Sequence, residues 1–147
     1  VVLLLNLSVP SMQVMAGDLI MVRTQQDFPE AMLTLQTSIR EHGYAITRVQ
    51  RIDIGLTGMG YETDKYRVVF VGKSKEIQYL IDKYPVLAAY MPPQVSIFAE
   101  EGDTVLITAN PMIYADMIDD EADKILFRRW ESDVYSVFDD IRKAQED

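Results

Sequence analysis

The spacing of apolar residues predicts two amphipathic helices, one on each side of a group of strands. Between Asp27, a suitable N-cap, and Gly43, a suitable stop, apolar residues recur every three or four positions. They are Phe28, Met32, Leu35 and Ile39. A second, long helix is predicted from about Asp119 to Ala144, with an inner face formed by Ala122, Leu126, Trp130, Val134, Val137, Phe138 and Ile141.

Apolar and β-branched runs between these helices predict strands at residues 19–23, 44–54, 66–71, 94–100 and 104–109. A turn at residues 101–103 joins the last two strands, which should form a hairpin. The unbroken apolar run from Val68 to Val71 is typical of a strand inside a sheet. A short helix is expected after Ser74. Because the helices flank runs of strands and do not alternate strictly with them, we expect an α+β fold with helices on one face of an antiparallel sheet.

The most unusual segment is the glycine-rich run after the second strand. Glycine weakens a regular element, so we interpret residues 51–72 as a glycine-broken β segment that presents Met59 and Tyr61 at one edge of the sheet. Aromatic and thioether side chains favour binding surfaces when they are exposed, although packing beneath the helices is the alternative for each of them. The candidate surface for a ligand or partner comprises Gly55, Gly58, Met59, Gly60, Tyr61, Tyr66, Tyr90 and Met91.

Residues 1–17 form an uncharged apolar segment, which predicts either a membrane anchor or the remnant of a signal peptide. Packing on a partner protein or on the domain itself is the alternative. The side chains expected to anchor it are Val1, Val2, Leu3, Leu4, Leu5, Leu7 and Val9. Residues 18–147 are expected to form a single α+β domain. The segment predicts a location on the periplasmic side of a bacterial inner membrane, anchored or secreted.

Composition and charge argue against several classes of function. The chain of 147 residues has no cysteine and a net charge of −9. Nucleic-acid binding depends on lysine and arginine contacts with phosphates, so no nucleic-acid partner is expected. Without cysteine there is no thiol chemistry, no disulfide bond and no cysteine zinc site.

Other candidate chemistry has little support in the sequence. His42, the only histidine, is expected at a helix C-terminus, and the eight methionines show no ligand spacing. The acidic cluster lacks the pattern of a calcium loop and is interpreted as a helix start; it comprises Asp116, Asp119, Asp120, Glu121 and Asp123. No metal and no cofactor are therefore predicted. Asp53 with Glu62 or Asp64 is the remaining candidate for acid–base catalysis.

Several short segments together are similar to the bacterial domain-of-unknown-function 302 family. The resemblance extends from about Asp27 to Pro111 and rests on Gly55–Tyr61, Tyr66–Phe70, Tyr84-Pro85, Met91-Pro92, Val95–Glu100 and Asn110-Pro111. Residues 130–133 resemble the C-terminal part of one branch of that family. The resemblance implies a TATA-binding-protein-like β-α-β(4)-α arrangement and dimeric members. It implies no established activity and no catalytic residues.

These observations predict a non-catalytic extracytoplasmic accessory or interaction subunit, attached to a membrane or a membrane complex through its N-terminus. The expected partner is another protein or a second copy of the chain. The first alternative is a soluble periplasmic module that binds a small ligand in a cleft lined by Met59, Tyr61 and Tyr90. The second alternative is an acid–base hydrolase that uses Asp53, Glu62 and Asp64.

Overall fold

The structure is a computed structural model, and it describes residues 17–144. The predicted anchor, Val1 to Val9, therefore lies outside the described residues. The strands are β1 (Leu19–Thr24), β2 (Ala45–Arg51), β3 (Tyr66–Gly72), β4 (Gln94–Glu100) and β5 (Asp103–Ala109). The helices are α1 (Phe28–Glu41), α2 (Ile52–Gly58), α3 (Ser74–Lys83), α4 (Met112–Ala115) and α5 (Glu121–Lys143), with a 3-10 turn at Pro85–Ala89. Between residues 17 and 144, no helix has both the length and the apolar character needed to cross a membrane.

The five strands form one antiparallel sheet in the order β1-β5-β4-β3-β2. The predicted α+β fold with its β-α-β(4)-α arrangement and long C-terminal helix is confirmed. Strand β3 lies between β2 and β4, in agreement with its unbroken apolar run. The hairpin between β4 and β5 turns through Glu101 and Gly102, which both have positive φ.

Successive side chains of a strand point to opposite faces of the sheet, so the register defines two faces. The inner face packs against α1 and α5 and carries the strand residues of the main core, among them Ile20, Val69, Val95, Ile97 and Leu106. The outer face is the opposite one. A second cluster joins α3, α4 and the first half of α5, with Leu80, Leu87, Tyr114, Phe127 and Trp130 at its centre.

The first helix follows its sequence signals closely. The Asp27 side chain accepts a hydrogen bond from the backbone N–H of Glu30 at 2.9 Å. His42 is the C-cap residue, and Gly43 follows with φ of +82°. Because only glycine adopts this backbone conformation readily, the chain can turn directly into β2.

The prediction that the glycine-rich run is a β segment is wrong. Strand β2 ends at Arg51, and residues Ile52–Gly58 form helix α2. The helix is held from its first turn, where the Asp53 carboxylate receives hydrogen bonds from Arg51 at 3.1 Å and from Arg67 at 2.7 Å. Arg67 lies on the neighbouring strand, so a tertiary contact outweighs the low helix propensity of glycine.

The predicted inner face of the last helix is correct from Trp130 onward, but not in the first two turns. Ala122 is exposed and Leu126 is only half-buried, whereas Asp123 and Phe127 are buried. The helix begins at Glu121, and its first half packs against α3 and α4 instead of the sheet. In these first two turns the buried positions are therefore one residue further along the chain than the pattern indicated.

Candidate functional site

A groove of about 400 Å³ opens at one end of the outer face of the sheet. The outer-face side chains Phe70, Ser96 and Ile107 lie along its floor. The segment after the 3-10 turn, from Ala89 to Pro92, and the start of α4 provide its wall. Binding sites for small molecules commonly have volumes of about 300–1,000 Å³. The groove is therefore large enough for a small ligand.

Every side chain that lines the groove is uncharged. Four of them carry polar groups that have no hydrogen-bond partner among the described residues, namely the hydroxyls of Tyr90, Ser96 and Tyr114 and the amide of Gln94. Polar groups in a concave, partly apolar site are the usual means by which a protein orients a ligand. The groove thus combines apolar surface with neutral hydrogen-bonding groups that are free to bind a ligand.

Tyr114 is the most buried of these polar residues, with only 5% of its surface exposed. Its ring lies between Tyr90 and Phe127, with ring centroids 6.0 and 5.8 Å away. Among the described residues, no fully buried side-chain polar atom lacks a partner. The unpaired Tyr114 hydroxyl must therefore reach solvent, and the groove is the open space that Tyr114 lines.

The protonation state of Tyr114 follows from the same burial. Desolvation raises the pKa of its phenol, and a negative charge on Tyr90 would raise that pKa further. The hydroxyl therefore stays protonated at neutral pH and can donate a hydrogen bond into the groove.

Beyond the groove, the central part of the outer face is apolar although no helix of the two core clusters covers it. Val68 and Val105 are buried, at 6% and 3% exposure, yet neither belongs to a helix-packed core cluster. Half-buried side chains of the same face surround them, and the rings of Tyr66 and Phe98 meet edge to face at 5.8 Å. Met21 continues this surface on β1. We call Met21, Tyr66, Val68, Phe98 and Val105 the outer-face patch.

The structure distributes the surface residues nominated by the sequence over separate regions. Tyr90 and Met91 line the groove, and Tyr66 belongs to the outer-face patch. Met59 and Tyr61 follow the end of α2 and are 74% and 60% exposed. A Cβ atom added at Gly55, Gly58 or Gly60 would meet no other atom within 4 Å. No close approach of another group therefore requires glycine at these positions.

The sequence predicted a cleft lined by Met59, Tyr61 and Tyr90. Of these three residues, only Tyr90 lines the groove. The groove residues that sequence reasoning missed include Phe70, Ser96 and Tyr114. The signal for Phe70 was the apolar run of β3, which does not alternate, and the signal for Tyr114 was its position just after Asn110-Pro111, whereas Ser96 had no signal in the sequence.

Asp53 is held in a structural ion pair. It is buried beneath Arg51 and Arg67, and although burial raises its pKa, the hydrogen bonds from these two arginines outweigh that effect and lower the pKa. Arg67 also lies over the ring of Phe28, 5.4 Å from its centroid. Glu62 and Asp64 are exposed. A carboxylate with a lowered pKa and two cationic partners is a weak general base.

Asp123 is a second buried carboxylate with a structural role that the acidic pattern did not indicate. It accepts hydrogen bonds from Lys83 at 2.7 Å, from Tyr84 at 2.5 Å and from Tyr79 at 2.9 Å. These bonds, that from Lys83 first, lower the pKa of Asp123. The carboxylate connects the end of α3 with the first turn of α5, where its neighbour Asp120 is the N-cap.

No metal centre is assembled between residues 17 and 144, where no group of three histidine, aspartate or glutamate side chains is arranged to hold an ion. The Nδ1 atom of His42 lies 2.8 Å from the carbonyl oxygen of Ser38, at the helix end where the sequence placed it. A second cavity of about 60 Å³ lies between the sheet and α5 and is lined mainly by apolar side chains such as Val71, Val95 and Val137. It is too small for a typical ligand.

Within residues 17–144, the domain is therefore an α+β protein whose sheet has one face covered by helices and an opposite face that carries an apolar patch and a groove. The chain belongs to the family described as "Domain of unknown function DUF302", whose model matches residues 20–141. No curated protein matches the chain. The crystal structure of an uncharacterized conserved DUF302 protein from Bacillus stearothermophilus has a similar fold, with a TM-score of 0.74. The two chains are 17% identical, and the match covers 84% of this chain and 98% of the other.

Proposed function

We propose that this domain is a non-catalytic interaction module and that the outer-face patch is its binding surface for a protein partner. The observation that carries the proposal is that β3, β4 and β5 place the apolar side chains of Val68, Phe98 and Val105 on the face opposite the core helices. An antiparallel sheet with one solvated face normally alternates apolar and polar residues, and two apolar faces are typical of a sheet covered on both sides.

A second copy of the chain is the partner that this surface fits. An isologous pair brings the same patch together from both subunits, and the apolar residues of one copy then cover those of the other. Five strands about 4.8 Å apart and about six residues long describe a face of roughly 500 Å². Two such faces give at most about 1,000 Å², because the estimate counts the whole face including the groove floor, and stable interfaces bury about 1,200–2,000 Å². The expected association is therefore weak and reversible.

The lack of support for acid–base catalysis at the nominated carboxylates is consistent with an interaction role. Asp53 is occupied by two arginines, and Glu62 and Asp64 are exposed side chains outside the groove. Among the described residues, the patch and the groove are the surfaces to which we assign a function.

The proposal includes an extracytoplasmic location, with attachment to a membrane or membrane complex through residues 1–16. Its support is the uncharged, apolar sequence of that segment. A fusion of the full chain to alkaline phosphatase, which is active only outside the cytoplasm, tests this part. Activity of the phosphatase fusion supports the location, and activity of a cytoplasmic reporter at the same position contradicts it.

The interaction itself is tested by sedimentation equilibrium of the full chain and of Phe98→Glu. A carboxylate at the centre of the patch would be desolvated opposite its own copy, so we expect the dissociation constant to rise at least tenfold. Leu33→Glu is the matched control, because Leu33 is an exposed apolar residue on α1, on the other side of the sheet. Equal association of wild type and Phe98→Glu, or weakening by Leu33→Glu alone, would contradict the proposal.

A further inference from the structure

The groove at the end of the outer face has chemistry of its own, which differs from that of the outer-face patch. The patch is apolar, whereas the groove contains four free polar groups on Tyr90, Gln94, Ser96 and Tyr114. Phe98 and Met21 are not among its lining residues. A role for the groove therefore does not depend on association through the patch.

The Tyr114 hydroxyl, which reaches the groove from an otherwise buried side chain, is the strongest indication of a ligand. Among the described residues every fully buried side-chain polar atom has a partner, so this unpaired hydroxyl is open to a molecule in the groove. Tyr114 is more than nine-tenths buried, its ring is fixed between Tyr90 and Phe127, and no described residue accepts its hydrogen bond. A ligand in the groove would supply that acceptor while its apolar part contacts Phe70 and Ile107.

The uncharged lining determines which ligands the groove can take. An ionised carboxylate, phosphate or ammonium group would lose its hydration without gaining a counter-charge, which is costly. The net charge of −9 adds long-range repulsion for anions. A neutral group that both donates and accepts hydrogen bonds, such as an amide or hydroxyl, matches the phenols, the serine hydroxyl and the glutamine amide.

We propose that the groove binds an uncharged aromatic molecule of one or two rings that carries a hydroxyl, carbonyl or amide group, and that Tyr114 donates a hydrogen bond to that group. Phe70, Tyr90 and Met91 provide aromatic and thioether surface for the ring, and such contacts favour planar ligands.

Three ligands of nearly the same shape and different charge test this assignment. They are 2-naphthamide, 2-naphthoate and 2-naphthamidine, which are neutral, anionic and cationic at neutral pH. Their binding to the full chain is followed by titration of amide resonances in ¹H–¹⁵N NMR spectra. We expect 2-naphthamide to shift the resonances of Tyr90, Ser96 and Ile107, and to bind at least tenfold more tightly than either charged analogue.

A pair of tyrosine variants then identifies the hydrogen bond. Tyr114→Phe removes only the hydroxyl and should weaken 2-naphthamide binding about fivefold, the effect of losing one hydrogen bond. Tyr135→Phe, at an exposed tyrosine of α5 outside the groove, should leave binding unchanged. The titrations are repeated in the Phe98→Glu background, where association through the patch is removed, so that failure of one proposal is separable from failure of the other.

Equal binding of the three analogues, shifts confined to residues outside the groove, or no shifts with 2-naphthamide at millimolar concentration would overturn the assignment. Equal affinity of wild type and Tyr114→Phe would remove Tyr114 from it. Thermal unfolding of each variant checks that its fold is retained.

Discussion

Replacement of Asp123 by alanine tests whether one buried carboxylate holds α3 against α5. Asp123 accepts three hydrogen bonds, from Tyr79, Lys83 and Tyr84. A hydrogen bond to a charged group contributes about 1.5–3 kcal/mol, so three set an upper limit of about 9 kcal/mol. The side chain of Lys83 is 39% exposed and Tyr79 is 47% exposed, so both regain water when the carboxylate is removed.

The net effect is therefore far smaller than the upper limit. With most of the donors rehydrated, we expect Asp123→Ala to lower the free energy of unfolding by about 2 kcal/mol. For a chain of this size the corresponding fall in Tm is about 6 °C. Urea unfolding followed by the fluorescence of Trp130 measures this change in the free energy of unfolding. Trp130 is the only tryptophan and lies in the cluster that joins α3, α4 and α5.

The matched control is Asp82→Ala, which removes an exposed carboxylate of α3 that bonds only to Gln78. Its effect should stay within about 0.5 kcal/mol. If Asp123→Ala costs no more than Asp82→Ala, the carboxylate does not hold the two helices and the reasoning from its three donors is refuted.

Three further predictions concern the backbone and pH. Gly55→Ala should raise the free energy of unfolding by about 0.5–1 kcal/mol, because Gly55 is helical and has open space around it. Gly60→Ala should lower the free energy of unfolding, because Gly60 has φ of +89°. Equal effects of the two substitutions in urea melts would contradict helix α2. Gly72→Ala should lower the free energy of unfolding by about 1–3 kcal/mol, because the added Cβ overlaps Cδ1 of Ile77. Ile77→Val, which removes Cδ1, should restore part of that loss, and a double-mutant cycle without coupling would refute this contact. Hydrogen bonds, that from Lys83 first, lower the pKa of Asp123, so the stabilisation by its carboxylate is complete above the unfolded pKa of about 3.9 and is lost as pH falls through the lower folded pKa. Wild type should therefore lose more stability than Asp123→Asn between about pH 5 and pH 2. Urea midpoints of the two proteins that fall in parallel would contradict this role of Asp123.

Helix α1 and helix α2 illustrate what local sequence can and cannot predict. The limits of α1 are set by neighbours in sequence, with Asp27 capping its start and Gly43 turning the chain at its end. Helix α2 depends on Asp53 reaching Arg67, fourteen residues further on and on another strand. Propensity alone favours a broken strand for a run so rich in glycine, so the helical state could not be predicted without that contact.

The candidate sites divide in the same way. Tyr90 and Met91 were found because aromatic and thioether residues beside irregular backbone often lie on binding surfaces, and both line the groove. Tyr114 was missed because its burial depends on Phe127, thirteen residues away on another helix. The outer-face patch was partly visible in the sequence, since the run from Val68 to Val71 does not alternate as a strand with one solvated face should.

Isotope-filtered NMR shows directly whether two copies of the chain associate through the outer-face patch. The sample mixes ¹³C-labelled and unlabelled full-length chains, so that only contacts between copies are detected. We expect intermolecular nuclear Overhauser effects from the methyl groups of Met21 and Val105 to the ring protons of Tyr66 and Phe98. Intermolecular effects that arise instead from the exposed sides of α1 and α5, or none at a concentration where sedimentation detects a dimer, would contradict association through the patch.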